Sequence, residues 1–92
     1  LIAYPNPYYS DNNQPVKFKF QTDQNNATID IFDFSMTRVT SSIAVNKDGE
    51  FLTGSWDGKN FNNNTVSNGT YFCRLKTSNG EYWSKLIIIN IK

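Results

Sequence analysis

Short runs in which apolar and polar residues alternate, separated by polar turn clusters, constrain the fold of this chain more than any other feature. Residues 16–20 alternate valine and phenylalanine with lysine, and the run 27–32 carries Ile29 and Ile31 at alternate positions. A period of two puts successive side chains on opposite faces of a β-strand. The pattern predicts two half-buried strands, with Ile29 and Ile31 facing inward, that pair as an antiparallel hairpin.

Similar runs recur along the whole chain, and no segment has the period of a helix. About seven strands are predicted: a short one ending at Tyr4, then 16–20, 27–32, 38–45, 50–56, 70–77 and 81–91. Turns are predicted at 33–37, 46–49 and 78–80, the last containing the favoured hairpin pair Asn79-Gly80, and 57–68 is an asparagine-rich loop. The fold class is therefore predicted to be all-β, an immunoglobulin-like antiparallel β-sandwich.

The length of 92 residues suits one domain, 1–92, and is too short for two independent cores. The chain opens at Leu1 without an initiator methionine or a basic leading segment, so we expect it to be a piece of a longer protein, with any export signal outside it. The most apolar stretch, 86–91, falls far short of the ~20 residues that span a bilayer. Direct membrane insertion is therefore not expected.

Charge and the lack of histidine narrow the function. Nine basic and eight acidic residues give a net charge of +1, which provides no field to attract nucleic acid. With no histidine, serine–histidine–aspartate and cysteine–histidine nucleophiles are excluded, and the chain is predicted not to be an enzyme. Cys73 lies in an alternating run and is interpreted as a small buried apolar residue. No cofactor is expected.

The asparagine-rich loop raises the question of calcium, because Asp57, Asn60 and Asn62 crowd oxygen ligands into it. The spacing is poor for an EF-hand loop, since Gly58 directly follows Asp57 and Lys59 occupies a position where a ligand should stand. The favoured interpretation is a solvated loop without metal. Asp57, Asn60 and Asn62 are the candidates if a metal does bind.

Aromatic residues allow a carbohydrate-binding platform as an alternative. Tyr8, Tyr9, Trp56, Tyr82 and Trp83 could stack on sugar rings if several were exposed and coplanar. Trp56, at the end of a strand, is expected in the core instead. Tyr82 and Trp83 are neighbours in a predicted strand and should point to opposite faces.

Four segments together resemble a known family: Tyr-Pro-Asn-Pro at 4–7, the apolar run ending in aspartate at 29–33, Trp-Asp-Gly at 56–58, and the run 66–75. The chain resembles the FlgD-type immunoglobulin-like domain, which shares its pattern with the C-terminal sorting domains of the type IX secretion system. The residues that carry the resemblance are Pro5, Asn6, Pro7, Asp33, Trp56, Asp57, Gly58, Gly69, Tyr71 and Lys85. Met36 stands where the family usually has glycine, so that turn is expected to be reshaped.

The resemblance implies a C-terminal sorting domain that the type IX machinery recognises as a folded unit. Its partners would be that machinery and an upstream cargo domain, and the cargo would pass through the periplasm to the cell surface. Each motif residue also has a structural interpretation, and the motif specifies the fold before the function. Two alternatives remain, a structural or spacer module of the hook-capping kind and a carbohydrate-binding module. An exposed edge strand would also allow two copies to pair.

Overall fold

The computed structural model describes residues 1–10 and 14–90 and consists of two packed β-sheets. Numbered along the chain, the strands are β1 (Ile2–Tyr4), β2 (Tyr8–Tyr9), β3 (Val16–Gln21), β4 (Thr28–Phe32), β5 (Arg38–Ala44), β6 (Asn46–Asp48), β7 (Phe51–Trp56), β8 (Gly69–Thr77) and β9 (Gly80–Ile89). One sheet has the order β1-β3-β7-β6 and the other β2-β9-β8-β4-β5. The predicted all-β sandwich is confirmed.

The core lies between the inner faces of the two sheets, where the alternating positions converge. Its fully buried side chains are Val16, Phe18, Ile29, Ile31, Leu52, Cys73, Leu75, Leu86 and Ile88. Ile29 and Ile31 face inward as predicted, each no more than 1% exposed. At about 25 cal/mol for each Å² of apolar surface, burial of this set is the main term that holds the sheets together.

Nine strands are present among the described residues, two more than the predicted count of about seven, and the two additions are very short. The predicted turn 46–49 contains β6, which pairs with β7 and turns only at Gly49 and Glu50. A positive φ of 62° at Gly49 is what lets so short a connection form. The other addition is β2, which pairs with β9 in parallel, so the antiparallel description fails at that pair.

The predicted hairpin between the second and third runs is also wrong. β3 pairs with β1 and β7 in one sheet, whereas β4 pairs with β5 and β8 in the other. The polar segment between β3 and β4 therefore crosses from sheet to sheet. Alternation set which side chains face inward, but it carries no information on which strand is the neighbour.

The hairpin of the last two strands is confirmed. β8 and β9 pair in antiparallel fashion from Gly69↔Ile88 to Thr77↔Gly80, so Ser78 and Asn79 form the turn. The strand was predicted to extend to residue 91, which lies outside the described residues. In the part of the chain that the structure describes, no helix is long and apolar enough to cross a bilayer.

Candidate functional site

The opening motif and the final strand meet at one edge of the five-stranded sheet. The Asn6 side chain donates from Nδ2 to the Lys85 carbonyl oxygen at 2.9 Å, and its Oδ1 accepts from the Ile87 amide at 3.0 Å. The Asn6 side-chain amide thus makes two hydrogen bonds to the edge of β9 that the backbone of a neighbouring strand would otherwise make. Pro5 and Pro7 flank Asn6, each after a cis peptide bond. The consecutive motif residues Pro5, Asn6 and Pro7 are thereby brought to Lys85, which is 79 positions from Asn6.

Lys85 itself is exposed, and its side chain is on the outer face of β9, since its neighbour Leu86 points into the core. The edge of β9 beyond Asn6 continues into the two residues of β2, where Tyr8 pairs with Ile88 and Tyr9 with Ile89. The Ser10 amide then donates to the Ile89 carbonyl at 3.0 Å. The second half of β9 is therefore held on both sides, whereas 80–84 pair with β8 alone among the described strands.

A second group of motif residues forms the support beneath the asparagine-rich loop. The rings of Trp56 and Tyr71 are both buried and meet edge to face, with centroids 6.4 Å apart. The Trp56 indole donates to the Lys59 carbonyl at 2.9 Å, and the Tyr71 hydroxyl donates to the Ser67 carbonyl at 2.7 Å. The predicted core position of Trp56 is confirmed, and both rings anchor the loop by their polar atoms.

Gly58 and Gly69 bound this loop at its two ends. Gly58 has a φ of +79°, a conformation that side-chain-bearing residues rarely adopt, and its carbonyl accepts from the Val66 amide at 3.0 Å. Val66 is buried, so the loop contributes one residue to the core that the sequence interpretation had placed in solvent. Gly69 opens β8 opposite Ile88. The loop also reaches the end of β9, where the Asn68 side chain accepts from the Asn90 amide.

Asp33 lies in the turn after β4, across an open cavity from Tyr71 of the second group. Its Oδ1 accepts from the Ser35 and Thr37 amides and from the Ser35 hydroxyl, and these hydrogen bonds lower the pKa of its carboxyl group. Met36 has a φ of +66°, so the expectation of a reshaped turn is wrong: methionine adopts the left-handed conformation that glycine would take. The hydrogen bonds that Asp33 accepts within the turn stabilise this disfavoured backbone conformation.

Two of the three metal candidates, Asp57 and Asn60, each direct a side-chain oxygen at nearby backbone amides. Asp57 Oδ1 accepts from the Lys59 amide at 3.1 Å, and Asn60 Oδ1 accepts from the amides of Asn62 and Asn64. These are the hydrogen bonds of a turn, and they give Asp57 Oδ1 and Asn60 Oδ1 a structural role without a cation. In the ranges 1–10 and 14–90, no group of three or more acidic, cysteine or histidine side chains lies together.

The five aromatic residues of the predicted sugar platform do not form one surface. Tyr8 and Trp56 are buried at 5% and 4% exposure. Tyr82 packs on Phe20 with ring centroids 4.5 Å apart, on the core side of β9. Trp83 points to the opposite, outer face, as predicted for neighbours in a strand. A coplanar row is therefore absent from these five, and the carbohydrate interpretation loses its main support.

A different aromatic cluster occupies the outer face of the five-stranded sheet. Cross-strand pairing places Asp30, Arg74 and Trp83 in one row and Phe32, Phe72 and Lys85 in the next. We call Phe32, Phe34, Phe72, Arg74 and Trp83 the aromatic face. Phe32 meets Trp83 with centroids 5.6 Å apart, and Phe34 stacks on Phe72 at 6.2 Å.

Arg74 is the centre of this face. Its guanidinium lies 5.0 Å from the centroid of Phe32 and 5.7 Å from that of Trp83, and it binds the Asp30 carboxylate at 2.5 Å. Burial alone would raise the pKa of Asp30, but its hydrogen bonds from Arg74 and the Ser42 amide outweigh burial and lower it. The pair stays ionised and fixes the guanidinium between the two rings.

Sequence analysis did not identify the aromatic face or the contact between Asn6 and β9. The first could have been found from the hairpin register, because pairing Thr77 with Gly80 sets Arg74 opposite Trp83 and Phe72 opposite Lys85. The three-residue turn predicted at 78–80 left that register open. The second had no local signal, since 79 positions separate Asn6 from Lys85.

The sequence matches a known protein family. The family described as the secretion system C-terminal sorting domain matches residues 2–90, which is nearly the whole chain. No curated protein matches the sequence. The resemblance to FlgD-type domains stays a prediction.

Two solved structures share the fold. PorZ, described as an essential surface component of the type-IX secretion system of Porphyromonas gingivalis, superposes with a TM-score of 0.70 at 15% identity, over 96% of this chain and 11% of that one. Dimeric latent PorU from the same bacterium gives 0.68 at 22% identity, over 98% of this chain and 9% of that one. The chain thus spans about a tenth of the length of either protein.

The family match covers both groups of motif residues, and the likeness to PorZ and PorU covers the complete sandwich on which those residues are placed. The chain therefore belongs to the family of secretion system C-terminal sorting domains, as its resemblance to the type IX sorting domains implied.

Proposed function

We propose that this domain is the signal by which the type IX secretion machinery recognises and exports a cargo protein, and that the machinery binds it as a folded unit. The single observation that carries the proposal is the family match over residues 2–90. The fold supports the second part, because the motif residues are spread over opposite ends of the chain and come together only in the finished sandwich. An unfolded tail would present no such arrangement.

From the same family assignment we infer the export route of the cargo and a non-catalytic role for the domain. The cargo crosses the periplasm before it reaches the cell surface, and the domain serves as a sorting signal without catalysing a reaction. In support, Cys73 is fully buried, and burial raises the pKa of its thiol to about 12, which suppresses the nucleophilic thiolate. The sequence also contains no histidine to act as a general base near neutral pH.

We also infer that two copies can pair through the edge of β9. Residues 80–84 have no strand beside them on the side away from β8 among the described residues. The opposite edge of the same sheet, β5, is broken by register shifts against β4 and by Ser42 at a φ of +58°, features that hinder strand addition. Sedimentation equilibrium of the isolated domain tests this inference, and a monomer at millimolar concentration would contradict it.

The sorting role is tested by fusing residues 1–92 to the C-terminus of an exported fluorescent reporter in a bacterium with a type IX system. Reporter at the cell surface is expected with the whole domain. A fusion ending at Ser84 lacks the buried Leu86 and Ile88 and should stay in the periplasm. The matched control Lys17→Glu changes an exposed side chain of the other sheet and should be exported normally. Periplasmic retention of all three fusions would overturn the proposal.

A further inference from the structure

The aromatic face exposes more apolar surface than the fold requires. Phe34 is 75% exposed and Trp83 is 45% exposed. Both lie on the outer side of the sheet, where the core does not require apolar side chains. Neighbouring Ile87, also on the outer side of β9, is 40% exposed. Contiguous exposed apolar surface of this kind on a small domain is typical of an interaction site.

The rings of this face are held in place before any partner arrives. Phe34 extends from a turn whose backbone is fixed by the Asp33 carboxylate, and it stacks on Phe72. Trp83 is held by Phe32 and by the guanidinium of Arg74. Side chains that are already ordered lose little conformational entropy on binding, and aromatic residues and arginine dominate the energy of protein interfaces. The face therefore has the features of a preformed protein-binding surface.

The charges around the rings indicate what kind of partner fits. Within the described residues, the ion pairs on this face all involve Arg74, which holds Asp30 at 2.5 Å and Glu81 at 3.9 Å. The carboxylates are thus already matched, whereas Arg38 and Lys85 are exposed on either side of the rings. Arg38 lies 5.8 Å from the centroid of Phe32, and Lys85 is in the same cross-strand row as Phe72. A complementary partner carries carboxylates that face these two cations.

We propose that the aromatic face is the docking surface for an acidic protein partner whose apolar side chains cover Phe34 and Trp83 and whose carboxylates pair with Arg38 and Lys85. The proposal rests on the proposed sorting function, since the partner is taken to be a component of the export machinery. A flat sheet face suits another folded surface. Insertion into a membrane is disfavoured, because Phe34 stacks on Phe72 and Trp83 lies against the charged guanidinium of Arg74.

The test is photocrosslinking in export-competent cells. The reporter fused to residues 1–92 carries benzoylphenylalanine in place of Phe34, and the crosslinked peptide is mapped by mass spectrometry. We expect a protein peptide rich in aspartate or glutamate. The double variant Arg38→Glu with Lys85→Glu should reduce the crosslinked fraction and the surface reporter roughly tenfold, because it reverses two charge contacts. The control Lys17→Glu with Lys19→Glu makes the same change of charge on β3 of the other sheet and should leave both near the wild-type level.

The outcomes separate the two proposals. If the wild-type reporter never reaches the surface, the sorting function fails. If it reaches the surface and the Arg38→Glu, Lys85→Glu variant does so equally well, or if the crosslink maps to a lipid, a glycan, a second copy of this domain or a basic protein surface, the docking proposal fails alone. Circular dichroism of the double variant must match the wild type, and a Trp83→Ala variant gives an independent measurement that is expected to show the same loss.

Discussion

Three non-glycine residues among those described, Met36, Ser42 and Asn63, occupy the left-handed backbone conformation that side chains disfavour, and two of them lie in matching turns. Met36 and Asn63 have φ values of +66° and +65°, each at the fourth position of a five-residue turn. The two turns match: in each, the first side chain accepts from the amides two and four residues later. Asparagine tolerates the left-handed region better than methionine does. The strain is therefore greater in the turn that begins at Asp33.

Replacing Met36 with glycine is expected to stabilise the domain by about 0.5–1 kcal/mol, because relief of the left-handed conformation outweighs the greater freedom of glycine in the unfolded chain. Half of the Met36 side chain is exposed, so little burial is lost. Urea unfolding measures the change. The matched variant Asn63→Gly should gain less, and an equal or larger gain there would contradict this explanation.

The pH dependence of the unfolding free energy tests whether the Cys73 thiol is buried in the core. Burial raises the pKa of its thiol to about 12, so the folded state resists ionisation while the unfolded state ionises near its usual pKa. The stabilisation is complete at neutral pH and is lost as the pH rises from about 9 towards 12. Between these values, unfolding free energy should fall more steeply in the wild type than in Cys73→Ala. Equal slopes would show that the thiol ionises in the folded domain.

At the scale of elements, β9 is the strand that most of the candidate site depends on. It holds Lys85 and Trp83 on its outer face and receives the Asn6 side chain at its edge. Asn6 is exposed, so each of its two hydrogen bonds has a modest net value. They nevertheless fix the opening segment against the final strand.

We expect Asn6→Ala to lower the unfolding free energy by about 1 kcal/mol and to speed hydrogen exchange at the Ile87 amide, which loses its acceptor. Exchange at the Leu86 amide, which is directed at β8, should change only with global stability. The control Asn25→Ala alters an exposed loop asparagine and should leave both amides as they were. An unchanged Ile87 rate in Asn6→Ala would contradict the assigned contact.

How far the sequence predicts these elements depends on the range of the interactions that form them. The β8–β9 hairpin was predictable because its turn and both of its strands are adjacent. β6, with three residues, and β2, with two, are too short to show alternation and exist only because β7 and β9 lie beside them. The wrong pairing of β3 with β4 has a similar origin. Which sheet a strand joins depends on the packing of both sheets, and a local sequence pattern carries no information on that packing.

The same reasoning applies to the candidate site. Trp56 and Tyr71 could be placed in the core because each occupies an inward position of its own strand. The aromatic face needed the register of three strands, and Phe34 also needed the turn that directs it onto Phe72. Residue patterns locate buried rings well, whereas an exposed cluster assembled from several strands is visible only in three dimensions.

For the molecule as a whole, we expect the two sheets to unfold together, because they share one core. Leu86→Ala removes a fully buried side chain of β9 and should cost about 3 kcal/mol. Tryptophan fluorescence reports both sheets, through Trp56 and Trp83, and far-ultraviolet circular dichroism reports the strands. Their midpoints should shift together. Ile87→Ala, on the outer side of the same strand, should cost less than about 1 kcal/mol, and separate midpoints would show that the sheets unfold independently.

The position of β9 in its sheet has a consequence for how such a protein is made. β9 is the last of the nine strands formed by the described residues, yet it lies between β8 and β2, the second of these strands to be synthesised. A ribosome extends the chain from the amino end, so β2 cannot pair with β9 until translation has passed residue 89. In a protein that carries this domain at its C-terminus, a prematurely terminated product never completes the sandwich. Export that depends on the folded domain then admits only cargo that has been translated in full.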